Sequence, residues 1–590
     1  MRHSIKRFSF LKATPIGVVL FFFLLPIFIF ANEDSNLSAN NRPPLPLYPI
    51  PLPRQLQWQK LEQYAFIHFG PNTFRNAEWG EGKPTEGAFF APTNSSAVYT
   101  KQWVDELTKV GMNGIIFTAK HHDGFCLWQT KTTLHSLRNS NYCGGNDDVV
   151  RDLSDNAKKA GVNIGIYISP WDRSNWAYLS DDYVKIFREQ VREISTNYGD
   201  IFEIWFDGAN GDKGWYGGGA TSNWHKKRGA LSLPLLENGD WRENHLYDYY
   251  PASNKPKSLF RRVINEKKAT DWITINNTVC KNSDDYIQAL RQDAKSIFNK
   301  LQPNAVIFGE GTGEGVRWVG NEQGWAGRTN WSMGTHLSIS SHLSGDENGT
   351  FWNPAECDMK THEGWFYSTK SPLPKDGVNA HKNYIEYYYR SVGRNATLLL
   401  NFSPARDGKI PQATLEEAKK FWKTITEDFA HNLVINNISN IDASNIRANS
   451  KQFSPLNLID ENFDTYWATD DEITNNAYII LNFKNQVTFD RVVLQEYIPL
   501  GQRVKSFKIE YSLDDDGVFF PLEYPNMPHS IAGDSDEPDV TTTIGYKRIL
   551  RCYETTAKRV KISFIQNRVA SPFVISEIAL YDSPNSCVKK

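Results

Sequence analysis

A (β/α)8-like barrel followed by a β-sandwich, an α/β domain joined to an all-β one, is the fold class the sequence predicts. Three observations carry it. From about Gln57 to Phe429, apolar runs of strand length alternate with stretches of helical period. Those strand runs are apolar on both faces, as strands of a covered parallel sheet must be. After about His431 the pattern turns to short alternating runs separated by turn residues, the mark of an antiparallel sandwich. A chain of 590 residues is also too long for one ordinary core.

The elements follow in order. Arg2, Lys6, Arg7 and Lys12 precede an apolar run from Ile16 to Ala31, so residues 1–31 read as a signal peptide, and a periplasmic or extracellular protein is expected. Pro26 interrupts the run, which is short of the roughly 20 apolar residues of a spanning helix, so no membrane contact beyond that segment is expected. A Pro-rich leader, Arg42-Pro-Pro-Leu-Pro-Leu-Tyr-Pro, enters a barrel placed at 45–430. Its first strand is Ala65–Phe69. The helix Ala97–Val110 feeds the strand Gly114–Ala119, and Ser154–Ala160 feeds Asn163–Ile168. Asp182–Tyr198 feeds Ile201–Ala209, and Asp284–Leu301 feeds Ala305–Phe308. The Gly- and Trp-rich stretch at about 210–283 is too long for a plain loop and reads as an insertion over the barrel mouth. An open doubly wound sheet is the alternative, weakened because no Gly-x-Gly-x-x-Gly or P-loop follows any strand. Asn432–Asn449 reads as a linker into a sandwich at 434–585, with strands at Tyr478–Phe483, Arg491–Glu496, Phe507–Tyr511, Arg559–Phe564 and Val574–Leu580.

Lys+Arg 65 against Asp+Glu 67 leaves a net charge of −2, which gives no electrostatic case for nucleic acid or anionic membranes. Aromatic residues make 13% of the chain, a supply of faces that stack on sugars and also fill cores. The six cysteines show no Cys-x-x-Cys spacing, so no zinc site is indicated, and Cys126 with Cys143 is the nearest candidate for a disulfide.

Chemistry collects just after the barrel strands, where such folds keep their active sites. Asp207 ends an apolar run, and a carboxylate there costs stability unless it is paired or working. His68, Glu78, Trp79, His121, His122 and Tyr167 occupy the other strand ends. His121 and His122, as neighbours on extended chain, should point opposite ways and chelate one ion poorly, so no metal is expected. No Gly-x-Ser-x-Gly elbow marks a serine nucleophile. What fits is a pair of carboxylates in an aromatic, His-rich bowl, the requirement of glycoside hydrolysis. Glu322, close to Trp318, is a candidate acid if partial burial raises its pKa, but the residues alone do not separate it from Glu310, Glu314 or Glu363.

At these residues the chain resembles the α-L-fucosidases of glycoside hydrolase family 29. The matching pieces run from His68-Phe-Gly-Pro-Asn-Thr-Phe with Glu78-Trp79, through Thr118-Ala-Lys-His-His-Asp-Gly-Phe-Cys-Leu-Trp and Gly165-Ile-Tyr-Ile-Ser-Pro-Trp-Asp, to Glu203-Ile-Trp-Phe-Asp-Gly-Ala. They continue with Val316-Arg-Trp-Val-Gly-Asn-Glu-Gln-Gly, Pro354-Ala-Glu-Cys-Asp with Gly364-Trp-Phe, and Ser391-Val-Gly-Arg-Asn leading into Leu398-Leu-Leu-Asn-Phe. The resemblance implies a retaining exo-enzyme with Asp207 as nucleophile, acting on fucosylated oligosaccharides or glycoconjugates without a cofactor. The Arg-Trp-Val-Gly-Asn-Glu piece resembles the subgroup specific for α-1,3/1,4-linked fucose, in which that glutamate, here Glu322, is the acid/base. Fucose binding by His68, Glu78, Trp79, His121, His122, Tyr167 and Trp365 is implied in the same way, with Arg317 and Trp318 on the leaving-group side. The long 210–283 stretch and Gly309-Glu-Gly-Thr-Gly-Glu-Gly depart from that subgroup. Asn457-Leu-Ile-Asp-Glu-Asn-Phe-Asp-Thr-Tyr-Trp resembles discoidin-like (factor 5/8 type C) sandwiches, which implies a domain open to sugar or a structural calcium, or one that only buttresses the barrel. The competing readings are a non-catalytic lectin or adhesin and a glycosidase of other sugar or linkage specificity.

Overall fold

The computed structural model describes residues 42–80, 87, 89–175, 178, 181–209, 273–280, 283–309, 313–335 and 342–585. Residues 1–31, expected to be a signal peptide, most of the 210–283 stretch, Glu310 and Cys587 lie outside the described residues.

Among these, eight parallel strands form the first domain: β1 (Gln63–Ile67), β2 (Gly114–Lys120), β3 (Asn163–Ile168), β4 (Glu203–Trp205), β5 (Val306–Phe308), β6 (Arg317–Trp318), β7 (Ala355–Lys360) and β8 (Ala396–Asn401). Their order is β5-β4-β3-β2-β1-β8-β7-β6, and a parallel bridge between Phe308 and Val316 brings the two edges together. The barrel is thus nearly closed, and the open-sheet alternative falls. Helices α1 (Ser96–Thr108), α2 (Val149–Ala160), α3 (Asp181–Asn197), α4 (Ser283–Leu301), α5 (Ala380–Ser391) and α6 (Gln412–Asp428) surround it. The second of these shows how local chemistry sets the boundaries. Asp148 Oδ1 accepts the Arg151 N–H at 2.9 Å as an N-cap, Val149, Val150, Leu153 and Ala157 form the buried face, and Gly161 at φ +70° ends the helix.

Two features differ from the sequence reading. The strand expected over Ile201–Ala209 is ladder-paired only at Glu203–Trp205, so Asp207 stands past the strand end, free of the ladder. β7 reads Ala-Glu-Cys-Asp-Met-Lys and carries acids into the barrel, which no apolar-run criterion detects.

Glu203 and Glu356 meet inside the barrel, both fully buried and hydrogen-bonded to each other. Trp58 Nε1 donates to Glu203 Oε2 at 2.7 Å, and Trp205 Nε1 to Glu356 Oε1 at 3.1 Å. Tyr64 donates to Glu356 Oε2. Burial pushes both carboxyls up, Glu203 to about 7, and the charge of Glu203 drives Glu356 well above its ordinary value as well.

The second domain is a seven-stranded antiparallel sheet among the described residues: β9 (Ile438–Ala443), β10 (Trp467–Ala468), β11 (Asn475–Glu496), β12 (Val504–Ser512), β13 (Phe520–Pro521), β14 (Arg548–Asn567) and β15 (Val574–Tyr581). The order is β10-β15-β11-β14-β12-β13, with β9 also on β11. The runs expected as two strands at Tyr478 and Arg491 are one 22-residue strand, broken in register between Asn482 and Val487 and again between Phe489 and Arg491. Such breaks let a long strand turn from one layer into the next. The expected linker at Asn432–Asn449 instead supplies β9, whose Ile441 joins the sandwich core. Cys126 and Cys143 are both free thiols, the first buried under the barrel loops and the second exposed, so that disulfide does not form.

Candidate active site

The carboxyl-terminal ends of the strands converge on one bowl. Asp207 is its most fully held group. Tyr167, last but one in β3, donates its hydroxyl to Asp207 Oδ2 at 2.7 Å, and the Ala209 N–H reaches Oδ1 at 2.8 Å. Burial alone would raise the carboxyl, but His122 beside it, the Ala209 N–H, the Tyr167 hydroxyl and Arg291 outweigh that and hold it below its ordinary value. Its side chain keeps 24% exposure toward the bowl, so a carboxylate is both stabilised as an anion and accessible.

Three histidines surround it, all neutral. Asn401 Nδ2 donates to the Trp365 carbonyl, which leaves its Oδ1 to accept from His68 Nδ1 at 2.8 Å. The tautomer follows: Nε2 of His68 carries a lone pair. Ser169 Oγ gives its proton to the Trp171 carbonyl at 2.8 Å, so it accepts from His122 Nδ1 at 2.7 Å. His122 Nε2 then stands 3.5 Å from Asp207 Oδ2. His121 stacks on Tyr167, centroids 5.4 Å apart at 13°, and its buried Nδ1 has no hydrogen-bond partner among the described residues. Burial drives all three down, His68 to about 3, His122 to about 4, and His121 well below its usual range. Contrary to expectation, the rings of His121 and His122 lie only 4.2 Å apart. The strand ends at Lys120, and the turn after it cancels the alternation of an extended chain.

One wall is aromatic. Trp365 stacks on His68 at 4.9 Å and 29°, and its N–H meets both oxygens of Glu78 at 2.9 and 3.2 Å. Burial pushes the Glu78 carboxyl up. A Cβ at Gly364 would lie 1.7 Å from Glu78 Oε1, so a larger residue there would displace that carboxyl. Trp79 is 38% exposed at the rim, edge-on to Trp171.

Glu322 enters from the opposite side on a tight turn in which Asn321 accepts from the Gln323 N–H and donates to the Trp325 carbonyl, both at 2.9 Å. Its carboxylate meets Lys360 Nζ at 2.9 Å, and that ammonium lies over the Trp365 ring at 5.3 Å. Asp207 and Glu322 are thus linked by a run of side-chain contacts, from Tyr167 through His68 and Trp365 to Lys360. The burial expected of Glu322 is absent: its side chain is 43% exposed. Beside it Trp318 Nε1 donates to the buried Asp358 at 2.8 Å.

Arg317 is placed differently from the rest. Its guanidinium is buried and spent on the carbonyls of His342 and Trp331, both at 2.9 Å, on the Asn353 carbonyl and on Asn330 Oδ1. Burial lowers it to about 10. It clasps the loops behind the wall and presents nothing to the bowl. Lys360 and Asn401 were not singled out in the sequence, although both lie within or beside the matching pieces. Among the described residues no group of three or more His, Cys, Asp or Glu is placed to hold a metal ion, and no helix is long and apolar enough to cross a membrane.

Residues 55–425 match the family model described as alpha-L-fucosidase, and residues 440–577 match the F5/8 type C domain. Alpha-L-fucosidase 1 of Arabidopsis thaliana is 33% identical over 96% of this chain and 94% of its own. A GH29 fucosidase of Ruminococcus gnavus, solved in complex with fucose, is 28% identical and covers 94% of this chain and 99% of its own, with a TM-score of 0.69. A glycoside hydrolase 29 family member from an unknown rumen bacterium is 31% identical over 92% of this chain and 79% of its own, with a TM-score of 0.66.

Proposed function

The chain belongs to the α-L-fucosidase family of glycoside hydrolases, and on that premise we propose that it is a retaining exo-enzyme releasing terminal α-1,3/1,4-linked fucose. The observation that carries the reading is Asp207, an accessible carboxylate held ionised by Tyr167 and the Ala209 N–H in a bowl that Glu322 shares.

Asp207 attacks C1 of fucose as the Glu322 carboxyl gives its proton to the departing glycosidic oxygen, and a fucosyl-Asp207 ester forms. Glu322, now ionised, takes a proton from water, the oxygen of which adds to C1 and frees Asp207, so fucose leaves with its configuration kept. The lone pair on His68 Nε2 accepts a sugar hydroxyl, His121 and His122 offer further neutral ring nitrogens, and Trp365 and Trp79 supply apolar surface for the C5 methyl and ring faces. The fucose complex of the Ruminococcus gnavus relative supports the sugar assignment. The Arg317-Trp-Val-Gly-Asn-Glu322 piece supports the linkage, and the basic and apolar N-terminus supports export.

Product stereochemistry is the test. Proton NMR of the first-formed sugar from an α-fucoside should show α-fucose before mutarotation, and a 2-fluorofucosyl fluoride should label Asp207. First-formed β-fucose would overturn the retaining mechanism. A panel of α-1,2, α-1,3, α-1,4 and α-1,6 fucosides decides the linkage, and a fucose complex should hold the two carboxyls roughly 5–5.5 Å apart.

A further inference from the structure

The turn that presents Glu322 is held from both domains: the barrel supplies a bridge between Gln323 and Met359 and the Arg390 carbonyl that accepts the Ala326 N–H at 2.9 Å, and the second domain closes over Trp325. Trp325, whose carbonyl closes the Asn321 turn, donates its Nε1 to the Ala532 carbonyl at 3.2 Å, and Gly533 lies against its ring. Arg394 Nη1 donates to the Ala326 carbonyl and to Asp534 Oδ2, both at 2.9 Å. Asp534 also pairs with Arg390, and both arginines hold its carboxyl below its ordinary value despite burial. The segment continues into the sandwich: Arg328 pairs with Glu537 at 2.7 Å, Thr329 bonds Thr542 at 3.0 Å, and the Asn330 N–H donates to Thr543 Oγ1 at 3.0 Å. Ile531, Val493 and Ile549 of the second domain sit in the barrel's own core cluster, so the contact is dry as well as polar.

We propose that the sandwich segment Ile531–Thr543 is a positioning element for catalysis, which fixes the turn carrying Glu322 at the barrel mouth. The proposal rests on Glu322 being the acid/base. An exposed glutamate on a short turn takes its orientation from its ion pair with Lys360 and from what anchors that turn, and the anchors at Trp325 to Asn330 are shared between the barrel and the other domain. The clasp acts on the proton-donating residue and leaves Asp207, held by β3 and its own loop, untouched. This predicts a signature that general loosening of the fold does not have, because a misplaced acid matters only for leaving groups that need a proton.

The full-length protein is compared as wild type, Glu322→Ala, Asp534→Ala and Trp325→Phe, each on a Lewis-type trisaccharide and on 2,4-dinitrophenyl fucoside, with thermal unfolding in parallel. Asp534→Ala should lose at least about tenfold in kcat on the trisaccharide and stay within about twofold on the aryl fucoside. KM should change little, whereas a sugar-binding role for the sandwich would move KM instead. Trp325→Phe removes one hydrogen bond while keeping the ring, and should show the same split at smaller size. It decides the matter should Asp534→Ala not fold. Equal losses on both substrates, or none, in a folded variant overturn the proposal. If Glu322→Ala itself lacks the split, the acid assignment has failed, and the positioning role falls with it.

Discussion

Tyr167 donates its hydroxyl to Asp207 Oδ2 at 2.7 Å, across two adjacent parallel strands whose ladder pairs Tyr167 with Trp205. The donor is thus built on the strand next to the one that leads into Asp207 and cannot drift from it. Tyr167→Phe should lower kcat/KM about tenfold, since a hydrogen bond to an ionised group is worth roughly 1.5–3 kcal/mol. It should also move the acid limb of the pH profile upward. The hydroxyl favours the ionised carboxyl, so its loss raises the group, and activity fails at a higher pH as pH falls. An unmoved acid limb would show that Tyr167 does not tune Asp207. Asp207→Gly should lose on the order of a thousandfold or more in kcat, as expected for a nucleophile.

The neutral histidines make a second prediction. With His68 at about 3 and His122 at about 4, neither imidazole charges between pH 5 and 8. Nitrogen-15 NMR should find them neutral at pH 5, with Nδ1 protonated in both. In sign, these depressed groups favour the fold above their unfolded value near 6.5, and that stability drains away as pH falls toward 4 and then 3. His68→Gln should therefore flatten the acid side of the stability curve. An imidazolium signal at pH 6 would sink the reading.

Much of this was legible in the chain. β1 to β5 are apolar runs, and buried parallel strands leave that trace. β6 is two residues long and β7 carries Glu356 and Asp358 inward, so neither has a hydrophobic signature to read. In the site, Asp207 announces itself by ending an apolar run, whereas Lys360 looks like any strand-end lysine until the fold sets it over Trp365 and against Glu322. Arg317 misled for the opposite reason: its place one residue before Trp318 suggests the leaving-group side, but the side chain turns inward to bind carbonyls.

Arg317 should accordingly behave as a stability residue. Arg317→Met leaves several buried acceptors without donors, each costing about 1–3 kcal/mol, partly offset by the lost burial of a charge. Thermal unfolding should shift down by several degrees, and surviving activity should fall equally on natural and activated fucosides. Selective loss on natural glycans would return Arg317 to the leaving-group side.

The buried Glu203–Glu356 pair gives the last prediction, one of pH-dependent stability. In the unfolded chain both carboxyls ionise near 4.5, whereas the folded pair keeps a proton up to at least about 7. Between those values the native state binds one more proton than the unfolded state, so its stability falls with rising pH by about 1.4 kcal/mol per unit. The contribution is complete below about 4.5 and spent as pH passes the folded value. Glu203→Gln keeps the shape while removing one of the two titrating carboxyls, and its carbonyl still accepts from Trp58 Nε1. That variant should unfold with a curve flatter than wild type from pH 5 to 7, and be more stable relative to it at pH 7 than at pH 5. Glu203→Leu should be destabilised throughout, because it leaves Trp58 Nε1 and Glu356 without their hydrogen-bond partner. Wild-type and Glu203→Gln curves that run parallel across that range would show that the pair holds no extra proton.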